Sequence, residues 1–290
     1  MKKILLIITF LWLSTLNGFA QSHEIGGMLG VAGYGGELGT TLHFAQYRPA
    51  FTLFYRYNVN DYLSLRPSFT YARLYGSDAR AHNYSSGQIH KRLRNLSFFS
   101  NVYEVSVSGE LYFVNRFKHK FAPYLLGGVG VFHFNPKTHT VDGQTVRLQP
   151  LGTEGQGIEG YGEKYSLVAF NATLGAGFSS RITDKLRWGM EAGLRLTSTR
   201  YLDDVSGNYV DKGVLEANNG VLSAQLSDRS AEVQATGDRH MVEFVDAVGG
   251  FEQDEYGYLN APGHGREGDK RGTGRRDRYL LILFTLSYSL

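Results

Sequence analysis

Alternation with a period of two is the sequence feature that most constrains the fold. Between residues 186 and 197, apolar side chains alternate strictly with charged, glycine or threonine residues. An α-helix would scatter both sets around its circumference, whereas a β-strand places one set on each face. The same alternation recurs and predicts eight strands, near 23–31, 49–58, 62–74, 98–114, 122–134, 165–181, 186–201 and 278–290. Residues 124–134 are apolar on both faces, so the orientation of that strand stays open.

Connection lengths distinguish a membrane barrel from a soluble sandwich, which alternates in the same way. Each predicted strand is at least about as long as the roughly 9–11 residues that cross a bilayer. The connections after strands two, four and six are short, and the others are long, at about 32–48, 75–97, 135–164 and 202–277. Short turns at one end and long loops at the other are typical of outer-membrane barrels. The sequence therefore predicts an all-β, eight-stranded antiparallel up-and-down transmembrane β-barrel with periplasmic turns and extracellular loops.

The N-terminus resembles an export signal. Lys2 and Lys3 precede a largely apolar run, and the small residues Gly18 and Ala20 stand three places and one place before Gln21. This is the layout of a secretory signal peptide. We therefore expect residues 1–20 to be removed after Sec export, near Ala20. Residues 21–290 would then form a single barrel domain in the bacterial outer membrane. A retained N-terminal anchor helix is the alternative.

Composition narrows the functional class. The chain has no cysteine, which excludes disulfides, thiolate metal sites and cysteine nucleophiles. A net charge of +3 is too small to indicate a nucleic-acid partner. A lipid-modifying barrel enzyme would need a Ser-His pair facing the lipid, and the predicted outward faces carry none in useful register. We expect no cofactor and no enzymatic activity.

The predicted lumen is rich in charge. An eight-stranded barrel is just wide enough for its own side chains to fill it. The inward faces carry four acids and four bases: Glu24, Arg56, Arg66, Glu104, Glu110, Arg187, Glu191 and Arg195. Charges in so narrow a space must pair. We therefore expect a filled interior without sizeable conductance, and the alternative is a proton or ion path through the network.

One periplasmic turn is predicted to be a docking surface. The connection 115–120 is basic and has one aromatic residue. Such a turn suits a periplasmic protein partner. The residues predicted to dock that partner are Arg116, Phe117, Lys118 and Lys120.

The last long loop holds two further charged groups. Its first part contains Asp203, Asp204 and Asp211, which are candidates for calcium ligands because carboxylate oxygens suit that ion. The alternative for these aspartates is a hydrogen-bonded turn. A basic stretch before the last strand is expected to meet outer-membrane lipid phosphates or to be solvated. Its residues are Arg266, Lys270, Arg271, Arg275, Arg276 and Arg278.

Several sequence blocks carry a family resemblance, and some lie in loops, where barrel architecture alone would not dictate them. They are residues 24–26, 34–38, 94–98, 103–104, 121–136, 148–157, 201–206 and 218–225. Through these blocks the chain resembles the PorG-like outer-membrane barrels of the type IX secretion system in Bacteroidetes.

The resemblance implies a non-enzymatic component of a protein secretion machine. Such a barrel would anchor a periplasmic lipoprotein ring to the outer membrane and contact other secretion subunits. The last loop is long for that family. The alternative is a general outer-membrane barrel whose surface loops bind lipid, ions or a surface ligand.

Overall fold

The computed structural model describes residues 23–39, 41, 44–80, 86–236, 239–261 and 264–290. The predicted signal peptide lies outside these residues. In chain order, the strands are β1 His23–Gly35, β2 Arg48–Asn58, β3 Leu63–Ser77, β4 Ser97–Tyr112, β5 Phe121–His133, β6 Pro136–His139, β7 Thr145–Arg147, β8 Val168–Arg181, β9 Leu186–Thr197, β10 Glu252–Gln253, β11 Leu259–Asn260 and β12 Arg278–Ser289.

Eight of these strands close into an antiparallel barrel. The hydrogen-bonded order is β1-β2-β3-β4-β5-β8-β9-β12, and β12 returns to pair with β1. At one level of the closure, Leu29 of β1 pairs with Phe51 of β2 on one side and with Phe284 of β12 on the other. Each barrel strand thus has two neighbours and no free edge, which confirms the predicted eight-stranded β-barrel.

Strand ends differ from the prediction at the end of the barrel that carries the long connections. β1 continues to Gly35 because its last residues pair with the first residues of β12, with Gly35 opposite Arg278. β9 stops at Thr197, whose backbone N–H donates to the carbonyl of Asp277. We call this the loop end of the barrel, and we call the opposite end, with the short connections, the turn end.

The two faces of the barrel wall have opposite character. Outward-facing apolar side chains remain widely exposed, including Leu29 (65%), Val129 (68%) and Phe170 (65%). In β5, whose orientation the sequence left open, Tyr124 and Phe132 face inward and are buried. A barrel wall with an apolar exterior and buried charges in its interior is the reverse of a soluble protein and suits a lipid environment.

An aromatic band marks the outer wall toward the turn end. Rings on four consecutive barrel strands contact one another, with centroids 5.1 Å apart for Phe121 and Phe178 and 5.4 Å apart for Phe178 and Trp188. Phe284 continues the band at 5.9 Å from Trp188. Aromatic bands of this kind are found at the membrane interfaces of outer-membrane barrels.

The long connections fold over the loop end, and we call them together the cap (described residues of 36–47, 78–96, 134–167 and 198–277). The cap contains helices α1 Ser86–Arg94, α2 Lys212–Asn219, α3 Val221–Ser227 and α4 Arg239–Ala247. It also has 3-10 turns at Phe44–Gln46, Asp78–Arg80, Gln149–Leu151 and Ser230–Thr236. Gly220, with a φ of 89°, separates α2 from α3. None of the helices described is both long and apolar enough to cross a membrane.

Candidate functional site: a charged lumen beneath an outer cap

Five of the predicted lumen charges meet in the turn-end half of the barrel. Arg56 lies between two glutamates, with Nη1 2.8 Å from Glu24 Oε2 and Nε 2.8 Å from Glu110 Oε2. Arg66 repeats the arrangement, with Nη1 2.7 Å from both Glu110 Oε1 and Glu191 Oε2. All five side chains are buried. Glutamate and arginine side chains alternate in this set, so each buried charge lies beside a charge of opposite sign. Charges buried away from bulk water need such partners.

Arg116 joins this arrangement from the turn between β4 and β5, although the sequence predicts it on an exposed docking surface. Its side chain is fully buried, with Nη2 2.8 Å from Glu24 Oε1. The turn is tight because Asn115 Oδ1 accepts the backbone N–H groups of Phe117 and Lys118. An exposed role for Arg116 is therefore wrong. We call the connected set the ion network: Glu24, Arg56, Arg66, Glu110, Arg116 and Glu191.

The three remaining predicted lumen charges lie outside the ion network. Glu104 accepts a hydrogen bond from the Tyr279 hydroxyl and lies 3.7 Å from Arg195 Nε. Arg187 donates from Nε to Ser179 Oγ at 2.8 Å, and no described carboxylate lies within ion-pair distance of it. Among the described inward side chains, Arg187 is thus a buried base without an acidic partner.

The loop-end half of the lumen is apolar, and the cap closes it. Leu202, Val205 and Leu226 from the last long connection are 0%, 1% and 3% exposed and belong to the same cluster as the barrel interior. We call this cluster the apolar seal. Its barrel side includes Met28, Ala32, Phe54, Leu74, Phe98, Val102, Phe132, Tyr279, Leu281 and Leu283.

Polar side chains fasten the cap to the barrel rim beside the apolar seal. The hydroxyl of Tyr34 lies 2.6 Å from Asp203 Oδ2 and 3.0 Å from Asp277 Oδ1, and all three residues are buried. A phenol carries one proton, so the second contact requires a proton on one of the carboxyl groups. Burial raises the pKa of both aspartates, and the charge of Asp203 raises the pKa of Asp277 further.

The three aspartates considered as calcium ligands have separate protein partners. Asp204 Oδ1 accepts the Tyr165 hydroxyl at 2.6 Å, and burial raises the pKa of Asp204 to about 6. Asp211 caps the N-terminus of α2, and Asp203 Oδ1 accepts the backbone N–H of Val205 at 3.0 Å. Within the described ranges, no group of three or more acidic or histidine side chains could hold a metal ion. The hydrogen-bonded turn therefore describes residues 203–205 better than a calcium site.

A buried ion pair holds together loop blocks that carry the family resemblance. Glu154 Oε1 lies 3.1 Å from Arg271 Nη1 and accepts the backbone N–H of Ser206 at 2.9 Å. Ser223 Oγ donates to the carbonyl of Leu151 at 2.8 Å. Three separate blocks thus converge in the cap. Arg271 is 2% exposed, so the expectation that it meets lipid phosphates is wrong.

Sequence reasoning missed Arg94, which links three long connections. Its Nε lies 2.7 Å from Asp78 Oδ2, and its Nη2 donates to the carbonyl of Glu37 at 3.2 Å. Its Nη1 donates to the carbonyl of Arg271. The available signal was position, since Arg94 opens one of the blocks on which the family resemblance rests.

The remainder of the predicted docking surface stays at the turn end. Lys118 and Lys120 are exposed, and Phe117 is half-buried. The carbonyl of Phe117 accepts a hydrogen bond from Arg181 Nη1 at 3.2 Å, which connects this turn to the end of β8. The turn therefore presents two exposed lysines on a backbone that hydrogen bonds to Asn115 and Arg181 hold in place.

Fold and lumen together define an eight-stranded β-barrel of the outer-membrane type whose interior is filled by an ion network and an apolar cluster. The chain belongs to the family described as Domain of unknown function (DUF6089), whose model matches residues 2–219. The match ends within the last long connection, before α3 and β12. Comparison with curated proteins gives no match.

Solved structures with a similar architecture share little sequence with this chain. Neisserial surface protein A (NspA) is 9% identical, with a TM-score of 0.42 and coverage of 93% of this chain and 97% of that one. Ail of Yersinia pestis, in complex with the heparin analogue sucrose octasulfate, is 10% identical, with a TM-score of 0.34 and coverage of 92% and 97%. The N-terminal β-barrel domain of Pseudomonas aeruginosa OprF is 9% identical, with a TM-score of 0.35 and coverage of 92% and 98%.

Proposed function

We propose that this protein is a non-enzymatic outer-membrane component of a protein secretion machine, of the PorG-like type in the type IX secretion system. In that role it anchors a periplasmic lipoprotein ring to the outer membrane. The observation that carries the proposal is the occupied interior. Because the ion network and the apolar seal fill the lumen, the barrel acts through its surfaces and not as a pore.

The orientation of the barrel follows from its connections. Short turns of outer-membrane barrels face the periplasm, and long loops face outward. Export by the N-terminal signal and the apolar outer wall support insertion in the outer membrane, where lipids contact the wall. The turn that carries Lys118 and Lys120 then faces the periplasm, where the ring lipoprotein and other secretion subunits are found.

Affinity purification from native membranes tests this function. We expect the tagged barrel to recover the ring lipoprotein, and we expect a Lys118→Glu/Lys120→Glu variant to lose it because both exposed charges are reversed. Lys185→Glu is the matched control, since Lys185 is exposed on another of the three short turns, between β8 and β9. Absence of the lipoprotein from the wild-type eluate, or normal secretion in a deletion strain, would refute the proposal.

One observation favours a second candidate function, binding of a surface ligand by the outer loops. The cap is an ordered set of interlocked connections with an open cavity, larger than a passive closure of the barrel requires. If the second function is the real one, the barrel should purify without the ring lipoprotein and still bind a ligand through the cap.

A further inference from the structure

An open cavity of about 440 Å³ lies in the outer cap, away from the lumen. Its size falls in the range of about 300–1,000 Å³ typical of sites for small molecules. The walls come from two connections that converge there, around residues 154–163 and 201–210, with a third contribution from 267–268. It lies apart from the predicted docking surface, so a role for it does not depend on the secretion function.

The cavity is lined by aromatic rings and carboxylates. Tyr161, Tyr201 and Tyr209 contribute rings, and Glu163 and Glu267 contribute exposed carboxylates. The Tyr161 hydroxyl donates to Glu267 Oε1 at 3.2 Å, which places a ring beside a negative charge. Aromatic faces and carboxylates both attract organic cations.

The charge of the lining selects against anions. A third carboxylate, that of Glu154, is already neutralised by an ion pair with Arg271, whose Nη1 lies 3.1 Å from Glu154 Oε1. No lysine, arginine or histidine stands among the described residues that line the cavity. Glu163 and Glu267 therefore leave an uncompensated negative charge, which a neutral saccharide would not offset and an ammonium or guanidinium group would.

A buried donor adds a second requirement for the ligand. Gln156 lines the cavity and is 4% exposed, and its Oε1 accepts the backbone N–H of Glu154 at 3.0 Å. That hydrogen bond fixes the orientation of the amide and leaves Nε2, beside the Tyr201 hydroxyl, without an acceptor within hydrogen-bond distance among the described residues. A buried unpaired donor is unfavourable, so the cavity has a place for an acceptor oxygen.

Open backbone at the rim allows a chain to enter. Gly160, Gly162 and Gly268 have positive φ values of 90°, 98° and 85°, and no heavy atom lies within 4 Å of where a side chain would begin. We propose that this cavity binds a basic side chain of a peptide, lysine or arginine. The cationic group would lie against Glu163, Glu267 and the tyrosine rings, and the adjoining peptide carbonyl would accept from Gln156 Nε2.

Calorimetric titration of the full barrel in phosphatidylcholine nanodiscs tests the proposal. The probes are N-acetyl-lysine methylamide, its arginine counterpart, N-acetyl-norleucine methylamide as the neutral control with the aliphatic chain of lysine, and N-acetylglucosamine as a neutral saccharide. Butylamine and spermidine represent cations without a peptide carbonyl. We expect saturable binding of the two basic peptides, weaker binding of the simple amines and none of the norleucine derivative.

Variants separate the two recognition elements. Glu163→Gln/Glu267→Gln should weaken binding of the lysine derivative about tenfold, since it removes two ion pairs. Gln156→Leu should remove the preference for the lysine derivative over butylamine. Glu243→Gln, an exposed acid on α4 away from the cavity, is the matched control and should bind as wild type. Retained heat modifiability on gels shows that each variant is folded.

Five results would overturn the proposal. They are no saturable binding of either basic peptide to the wild type, equal binding of the norleucine derivative, unchanged binding in the double glutamine variant, simple amines that bind as tightly as the basic peptides, and tighter binding of N-acetylglucosamine than of any cation. The last result would identify a saccharide site instead. Simple amines that bind as tightly as the peptides would exclude the peptide carbonyl and point to a free polyamine.

Discussion

The two halves of the lumen are filled by different means. Toward the turn end, the ion network pairs charges of opposite sign, and toward the loop end the apolar seal packs hydrocarbon against hydrocarbon. Phe54 stands at the boundary, with the guanidinium carbons of Arg56 and Arg66 4.7 and 5.5 Å from its ring centroid. The charged half is built by barrel strands and one turn, whereas the apolar half is completed by the cap.

This difference in origin gives the two halves different consequences when they are disturbed. The ion network joins β1, β2, β3, β4 and β9 across the interior, so it forms only when the barrel closes. The apolar seal joins a finished barrel to a loop. Loss of a network residue should therefore weaken the whole barrel, and loss of a seal residue should release the cap alone.

The largest effect is expected at the centre of the ion network. Glu110→Gln removes the carboxylate that Arg56 and Arg66 share and leaves two buried cations under-compensated. Breaking a buried pair on one side typically lowers stability by about 3–5 kcal/mol. The change is measured by urea unfolding in lipid vesicles, followed by the fluorescence of Trp188 on the barrel wall. Glu243→Gln is the control, and an unfolding midpoint equal to that of the control would contradict the role given to the network.

A smaller and more local effect is expected at the seal. Leu202 is fully buried. Leu202→Ala should destabilise the contact between cap and barrel by about 2–5 kcal/mol because it leaves a cavity. Hydrogen exchange should rise in residues 202–206 and 221–227, while the Trp188 unfolding transition stays in place. Val221→Ala, at a position 49% exposed, should change neither measurement. A barrel that unfolds earlier in Leu202→Ala would show that the two halves are one cooperative unit.

Sequence patterning predicted the charged half better than the apolar half, for a physical reason. Period-two alternation assigns each strand residue to a face, so Glu24, Arg56 and Glu110 could be placed in the lumen before their partners were known. Arg116 lies in a turn, where alternation carries no information, and its inward direction depends on how Asn115 shapes the backbone. Leu202 and the rest of the cap side of the seal belong to a loop without periodicity. Their contacts depend on the tertiary fold, which local pattern does not encode.

The attachment of the cap should depend on pH through its buried carboxyl groups. Burial raises the pKa of Asp204 from an ordinary value of 3.8 to about 6, and raises those of Asp203 and Asp277 in the same direction. The folded cap thus binds more protons than the open cap between the two values. Its stability should fall as pH rises from about 4 through 6 and beyond, by up to about 3 kcal/mol for Asp204, at about 1.4 kcal/mol per pKa unit.

Hydrogen exchange of residues 202–206 at pH 5 and pH 8, corrected for intrinsic rates, measures this dependence. Protection should be greater at pH 5. Asp203→Asn should reduce the dependence without abolishing it, because an amide keeps a neutral partner beside Tyr34 at every pH while Asp204 still titrates. The other charged groups that face these carboxyl groups are Glu37 and Arg94 at Asp203, and Arg271 and Glu154 at Asp204. Greater protection at pH 8 than at pH 5 would mean that these aspartates are ionised in the folded cap.

The smallest change in stability is expected at Arg187. This change distinguishes an unpaired buried arginine from a paired one. The sequence treats Arg66 and Arg187 alike, as inward bases on barrel strands, but Arg66 contacts two glutamates, whereas Arg187 donates to the Ser179 hydroxyl and has no carboxylate partner among the described residues. Arg66→Gln should therefore lower stability by about 3–5 kcal/mol, because it removes the positive charge that lies beside two buried carboxylates. Arg187→Gln should change stability by less than about 1 kcal/mol, since it removes one neutral hydrogen-bond partner and an unpaired charge. Urea unfolding of both variants in the same vesicles makes the comparison. A loss at Arg187 as large as that at Arg66 would mean that the interior depends on the number of arginines and not on their pairing.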